Sequence, residues 1–316
     1  MNIVFAGTPD FAVPSLETLS NNKKINIKTV ITQPDRKRGR GKKVKFTPVK
    51  KIAKKHDLDI MQPKNINGKK TLMKLKELDL DLIIVVAYGQ ILSKELLELP
   101  KYGCINLHAS LLPEYRGSSP IQQAILDGKE KTGVTTMFMN QGLDTGDIIN
   151  QRNVVIKDTD NAGNLHDKLA KTGAKLLEKT ILDFINNPDN IKRIKQDDNK
   201  SSYTGQLSKN DGLIDWSKNA KYIKNFIKAM NPWPGSFTYL DSKLLKVYDI
   251  DETKEKSDKQ PGTIIKANPK DGFLVQTGDY VIKLMEIQLS GKKRMKYDDF
   301  LRGYSIENNK KLKNEK

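Results

Sequence analysis

Over roughly the first two-thirds of the chain, short continuous apolar runs alternate with longer runs in which apolar residues recur every three or four positions. Residues 2–7 (NIVFAG), 25–32 (INIKTVIT), 80–89 (LDLIIVVAYG) and 104–109 (CINLHA) have the first pattern. They predict strands buried on both faces, the habit of a parallel sheet. Residues 9–19 read as a helix, and Thr47-Pro48 supplies an N-cap and first turn for another through Lys55. Ser119-Pro120 opens a third helix to Asp127. GVTTMFM and DIINQRNVVI read as later strands, and 161–187 as a long helix with Leu165, Leu169, Leu176, Leu177, Ile181 and Phe184 on its apolar side. Strands alternating with helices predict a doubly wound, Rossmann-like α/β domain with a parallel sheet over residues 1–188.

Beyond that point the pattern changes. Residues 189–206 are rich in Asp, Asn, Lys and Ser and predict a linker. One helix (217–230) follows, then SFTYL, LLKVYDI, GTIIKA, GFLVQT and YVIKLMEIQL, short strand-like runs parted by turn residues. These predict a small β-barrel or sandwich over 207–316. No internal repeat is visible, and the charged segment from Glu307 onward is expected to fray.

Composition adds a partner class. The 316 residues carry a formal charge of +18, which raises the odds of a polyanionic partner, nucleic acid before membrane surface, and leaves merely solvated lysines as an equal alternative. The one cysteine, Cys104, excludes a disulfide framework or a cysteine-based zinc site and fits a reducing, cytoplasmic setting. No apolar run reaches the roughly 18 residues that a membrane helix needs. The opening MNIVFAG goes straight into a strand pattern, so no leader is expected.

The stretch INLHASLLPEYRG (105–117) holds one of three histidines. Alternation along a strand puts Cys104, Asn106 and His108 on one side, with Asn106 and His108 about 6.6 Å apart. They lie near the strand's C-terminal end, where open parallel sheets bind ligands. Alone, the pair reads more readily as a satisfied buried histidine and a turn former than as a site. NQGLDTGD (140–147) changes that, because Gly142 and Gly146 permit an irregular loop carrying Asp144 and Asp147 to the same strand ends. An aspartate beside His108 would fix its ring. Ser110 sits in no nucleophile elbow, Cys104 reads as core, and no cluster has metal-ligand spacing. His56 and His166 have no evident partner in the sequence.

FAGTPDFA, QPDRKRGRGKK, VVAYGQIL, CINLHASLLPEYRG with PIQ, and GLDTGDII together resemble the methionyl-tRNA formyltransferases, a folate-dependent formyltransferase family. NPWPGS (231–236) and GKKRM (291–295) extend the likeness into the second domain. The resemblance implies formyl transfer from 10-formyltetrahydrofolate to the α-amino group of methionyl initiator tRNA, for translation initiation, with no metal. It implies Asn106, His108 and Asp144 as the catalytic set. It places the donor against Ser110, Leu111, Leu112 and Pro113, with Val86, Tyr88 and Gly89 also lining its site. It implies that the basic loop (Arg36, Arg38, Arg40, Lys42, Lys43 and Lys45) meets the tRNA acceptor end. Lys292, Lys293 and Arg294 of an OB-like barrel would continue the positive track. It further implies a monomer. Glu114 departs from the pattern, since relatives often carry a base there.

Three other readings remain. A formyltransferase acting on an amino-sugar nucleotide shares the catalytic set but has less use for the basic loop. A hydrolase of the same folate replaces the amine with water. A non-enzymatic tRNA-binding module would not need Asn106, His108 and Asp144.

Overall fold

The computed structural model describes residues 1–38 and 43–313. Arg40 and Lys42 lie outside the described residues, as do the side chains of Arg38 and Lys43. The chain divides into two compact units. The first comprises residues 1–120, 131–155 and 166–204, and the second 121–130, 156–165 and 205–316.

The chain begins with β1 (Asn2–Gly7), α1 (Val13–Ser20), β2 (Asn26–Ile31), β3 (Arg36–Arg38), β4 (Lys43–Lys45), α2 (Pro48–Lys55), β5 (Ile60–Met61), α3 (Lys69–Lys76), β6 (Leu82–Val86) and α4 (Lys94–Leu97). It continues with β7 (Cys104–His108), β8 (Arg116–Gly117), α5 (Pro120–Leu126), β9 (Lys131–Phe138), β10 (Ile148–Val155), α6 (Ala162–Asn186) and β11 (Tyr203–Thr204). A seven-stranded sheet in the order β10-β9-β7-β6-β1-β2-β5 centres the first unit. All five residues of β6 are buried, as its Ile/Val run predicts. The Thr47 hydroxyl caps α2 by accepting from the Lys50 amide.

The sheet is mixed. The five strands from β7 to β5 run parallel, but β9 is antiparallel to both β7 and β10. No helix lies between β9 and β10, so the chain makes a hairpin there instead of a crossover.

Residues 189–204 do not hang between the units. Ile194 and Ile148 exchange main-chain hydrogen bonds at the start of β10, and β11 pairs in parallel with β8. The structure therefore assigns most of the expected linker to the first unit.

The second unit carries α7 (Ala220–Ala229), β12 (Ser236–Leu240), β13 (Lys243–Glu252), β14 (Ile264–Asn268), β15 (Gly272–Gln276), β16 (Val281–Leu289), β17 (Met295–Lys296) and α8 (Tyr297–Gly303). Its strands form an antiparallel sheet in the order β12-β13-β16-β15-β14, with β17 on β16. Ile223 and Ile227 of α7 join Leu245, Val247, Val275 and Ile287 in its core. Part of the segment expected to fray is instead paired to the sheet. Residues 309–313 bond on one side to Gly262 and Ile264, just at β14, and on the other to Tyr239 of β12. Leu312 is buried between them. One apolar side chain and the unpaired edges of two strands outweigh the charge of the segment.

Candidate active site

β7 lies between β6 and β9, with Asn106 in register with Val85 and His108 with Thr135. His108 is buried. Its Nε2 is 2.9 Å from the carbonyl oxygen of Tyr115. A carbonyl only accepts, so Nε2 carries a hydrogen. Nδ1 then faces the Asp144 carboxylate at 3.6 Å. At that distance the two groups face each other without a direct hydrogen bond.

Asp144 reaches this point from an unexpected direction. The Met139 amide donates to the Cys104 carbonyl, so the loop leaves β9 near the first residue of β7, not at its C-terminal end. It then folds back to put Asp144 Oδ1 3.4 Å from the Asn106 side-chain amide, while Oδ2 accepts from the Gly117 amide at 2.8 Å. Asp144 is held at φ 53°, in the left-handed region that aspartate tolerates better than most residues. Gly146 follows because nothing larger fits, since a Cβ there would lie 1.7 Å from the Phe138 carbonyl oxygen. Asn106, His108 and Asp144 thus converge, with polar atoms directed at one another across the face of β7. Asp147 is instead at the hairpin base, where its carbonyl accepts from the Phe138 amide.

The loop after β7 is built from its own polar groups. Ser110 is fully buried, and its hydroxyl donates to the Glu114 carbonyl at 2.6 Å. Thr135 Oγ1 donates to the Ser110 carbonyl and accepts from the Leu112 amide, and Gln151 donates to the Leu112 carbonyl. Leu112 is buried, while Leu111 and Pro113 are half-buried. At the end of β6, Val86 and Tyr88 are buried, and the Tyr88 carbonyl accepts from Thr8 Oγ1 and Gln33 Nε2. Burial pushes the Tyr88 phenol up to about 12, and its hydroxyl has no hydrogen-bond partner among the described residues. Gly89 is exposed, and a Cβ there would meet nothing within 4 Å.

The basic segment opens as a hairpin in which Arg36–Arg38 pairs with Lys43–Lys45. Its base is tied by Asp35, which accepts from Lys50 of α2 and from Gln62. Lys50 holds the Asp35 carboxyl below the ordinary carboxylate value. Arg36 and Lys45 are exposed. In the second unit Lys292 and Lys293 are exposed, but Arg294 is engaged with Glu286 and lies over the Tyr248 ring.

The sequence did not reveal Arg116 and Gln196. Arg116 is the largest fully buried side chain among the described residues, with its guanidinium bonded to Gln196, Tyr203 and Asp198. Its only signal was an arginine beside a Pro-Glu-Tyr turn, and nothing in a polar segment 80 residues away marks its partners. Among the described residues no group of three His, Cys, Asp or Glu side chains is placed to hold a metal.

Residues 1–181 match the formyl transferase family model, and 206–305 match the model of the formyl transferase C-terminal domain. The chain belongs to the formyl transferase family. Within it, the chain is 49% identical to the methionyl-tRNA formyltransferase of Halothermothrix orenii, over 99% of this chain and 100% of that protein. It is 48% identical to the methionyl-tRNA formyltransferase of Clostridium novyi, over 97% of this chain and 98% of that protein. Among solved structures, the N-formyltransferase from Helicobacter canadensis, in complex with folinic acid and dTDP-3-aminofucose, has the same fold at a TM-score of 0.65 and 22% identity. The match covers 89% of this chain and 98% of that one.

Proposed function

We propose that this chain transfers the formyl group of 10-formyltetrahydrofolate to the α-amino group of methionine on initiator tRNA. The observation that carries the reading is the meeting of Asn106, His108 and Asp144 around one point. Near-full-length identity to methionyl-tRNA formyltransferases supports the choice of acceptor.

The amine nitrogen attacks the formyl carbon. A new C–N bond forms, the bond to the donor nitrogen breaks, and one amine proton ends on that nitrogen. Negative charge grows on the formyl oxygen during attack, and the Asn106 amide and His108 donate to it. Because Nε2 is committed to Tyr115, Nδ1 is the histidine donor that can turn to the substrate. Asp144 balances the charge on His108 and takes up the amine proton for delivery to the leaving nitrogen. No enzyme nucleophile takes part.

The loop fits a folate donor. Half-buried Leu111 and Pro113 offer apolar surface to a flat ring, and Gly89 leaves the end of β6 open. Ser110 acts as a loop builder, since its hydroxyl is consumed internally. When bound, the donor supplies the formyl group. Arg36, Arg38, Arg40, Lys42, Lys43 and Lys45 would meet the acceptor end of the tRNA, and Lys292 and Lys293 its phosphates. Arg294, tied to Glu286, would act by holding β16 and β17 together. The catalytic domain, expected over 1–188, takes in residues 189–204 as well, and 207–316 is the tRNA-binding domain of a monomeric, cytoplasmic enzyme.

The test is incubation of the chain with labelled 10-formyltetrahydrofolate and methionyl-tRNA, an amino-sugar nucleotide or buffer alone. Label is expected on methionyl-tRNA. Label on the sugar nucleotide, or formate released in buffer alone, would replace this reading by one of its rivals.

A further inference from the structure

We propose that Gln196 and Arg116 are positioning residues for Asp144 and His108, and that residues 196–204 are a working part of the catalytic unit. The inference rests on the formyl-transfer reading above.

Gln196 spends its whole side chain on this task. Its amide nitrogen donates to the carbonyls of Asp144 at 2.8 Å and Gly146 at 2.7 Å, one on each side of Thr145. Its amide oxygen accepts from Arg116 Nε at 3.0 Å. An amide has two N–H donors, so both are used. Asp144 sits at a positive φ, a conformation with an intrinsic cost for a residue bearing a Cβ, and Gln196 holds its carbonyl in that state.

Arg116 closes the other side. It is 1% exposed, and its two terminal nitrogens bond to Tyr203 at 2.9 Å and Asp198 at 2.8 Å. Burial works against its charge, but Asp198 and Tyr203 more than offset this and raise its pKa. Its main chain lies between the two groups that matter. The preceding carbonyl, of Tyr115, receives His108 Nε2, and the following amide, of Gly117, donates to Asp144. The same stretch is fastened to the later segment by the Arg116 amide on the Ser202 carbonyl and the Tyr115 amide on the Ser202 hydroxyl. Gly117 allows this approach, since a Cβ there would lie 2.3 Å from the Thr204 carbonyl oxygen. One clamp therefore fixes both the carboxylate and the imidazole without itself touching the reacting atoms.

The experiment compares wild type with Gln196→Met, which keeps the length and loses the donors, and Asp198→Ala, which removes only the exposed anchor of Arg116. Each is assayed for kcat, for KM toward 10-formyltetrahydrofolate and methionyl-tRNA, for the pH profile of kcat, and for melting. We expect Gln196→Met to lower kcat about 10- to 100-fold. Both KM values should stay within about twofold, the signature of a group that acts only in the transition state. The value of kcat should fall at every pH sampled, because the Asp144 carboxylate is no longer held in place. Asp198→Ala should lower kcat about two- to fivefold through the same geometry. Wild-type kcat in Gln196→Met, or a loss carried by KM, would overturn the inference. If Gln196→Met does not fold, Asp198→Ala decides, and unchanged kcat and pH profile there overturn it. A wild-type chain that moves no label to methionyl-tRNA sinks the formyl-transfer reading itself, which is a separate result.

Discussion

Replacing Gly146 by alanine tests whether catalysis depends on the path of the Asp144 loop. The new Cβ would lie 1.7 Å from the Phe138 carbonyl oxygen and 2.8 Å from its carbon. Both are main-chain atoms at the end of β9, where the Phe138 amide also bonds to the Asp147 carbonyl at 2.9 Å. Neither can rotate away. Taking about 3.3 Å as a normal carbon–oxygen contact, the loop must move by about 1.6 Å. That movement is passed to Asp144 two residues back, and a misplacement of about 1 Å costs on the order of 100-fold in rate. This corresponds to about 2.7 kcal/mol of transition-state stabilisation. Overpacking should cost about 1–3 kcal/mol of stability. Gly142→Ala is the control. There the nearest atom is the Thr145 hydroxyl at 2.1 Å, bonded to Asn140 but on a rotatable side chain. Its loss should stay under about tenfold. Single-turnover formyl transfer at saturating donor and methionyl-tRNA, with thermal melts alongside, measures both. A Gly146→Ala rate close to wild type, or a Gly142→Ala variant equally impaired, would refute the reasoning.

His108→Ala should lower transfer by about 10³-fold or more with unchanged circular dichroism, since it removes an oxyanion donor and the partner of Asp144; near-normal turnover would rule out the mechanism. Asp35 carries a folded-state pKa below its unfolded value because of Lys50, with Lys54 adding to it. Its contribution to stability is therefore complete above about pH 4 and fades as pH falls further. Asp35→Asn should lower the urea midpoint at pH 7, and the gap to wild type should narrow as pH falls through the lowered Asp35 value, as denaturation across pH would show. Cys104 is 2% exposed, and burial pushes its thiol up to about 12. Thiol titration at neutral pH should find nothing reactive in the folded chain and one group after denaturation. Affinity for methionyl-tRNA should fall steeply with added salt while affinity for the folate changes little, and a flat salt response would return the surplus of lysines to mere solvation.

The strand that carries Asn106 and His108 was legible because its alternation is local. So was the irregularity of the Asp144 loop, which its two glycines announce. The direction of β9 was not. GVTTMFM reads the same whether its neighbour is parallel or antiparallel, and only the length of the connection to β10 distinguishes them. Arg116 and Gln196 were invisible for a related reason. A buried arginine is specified by partners such as Asp198 and Tyr203 that lie far along the chain, in a segment whose polarity resembles that of any linker. The charged stretch 309–313 misled in the same way, since its place is set by the open edges of β12 and β14 and by Leu312 alone. Composition reports the average of a segment, whereas one side chain or one pair of main-chain bonds can decide its place.

The hairpin of β9 and β10 is appended to one margin of a sheet whose other five strands are parallel. A hairpin at a margin can detach as a unit, at less free energy than global unfolding. Asn106 and His108 would remain on β7 after such an opening, but Asp144 would depart with the hairpin. On the proposed mechanism, formyl transfer would then depend on the seating of this one hairpin, and a molecule that kept most of its ordered structure would still be catalytically silent.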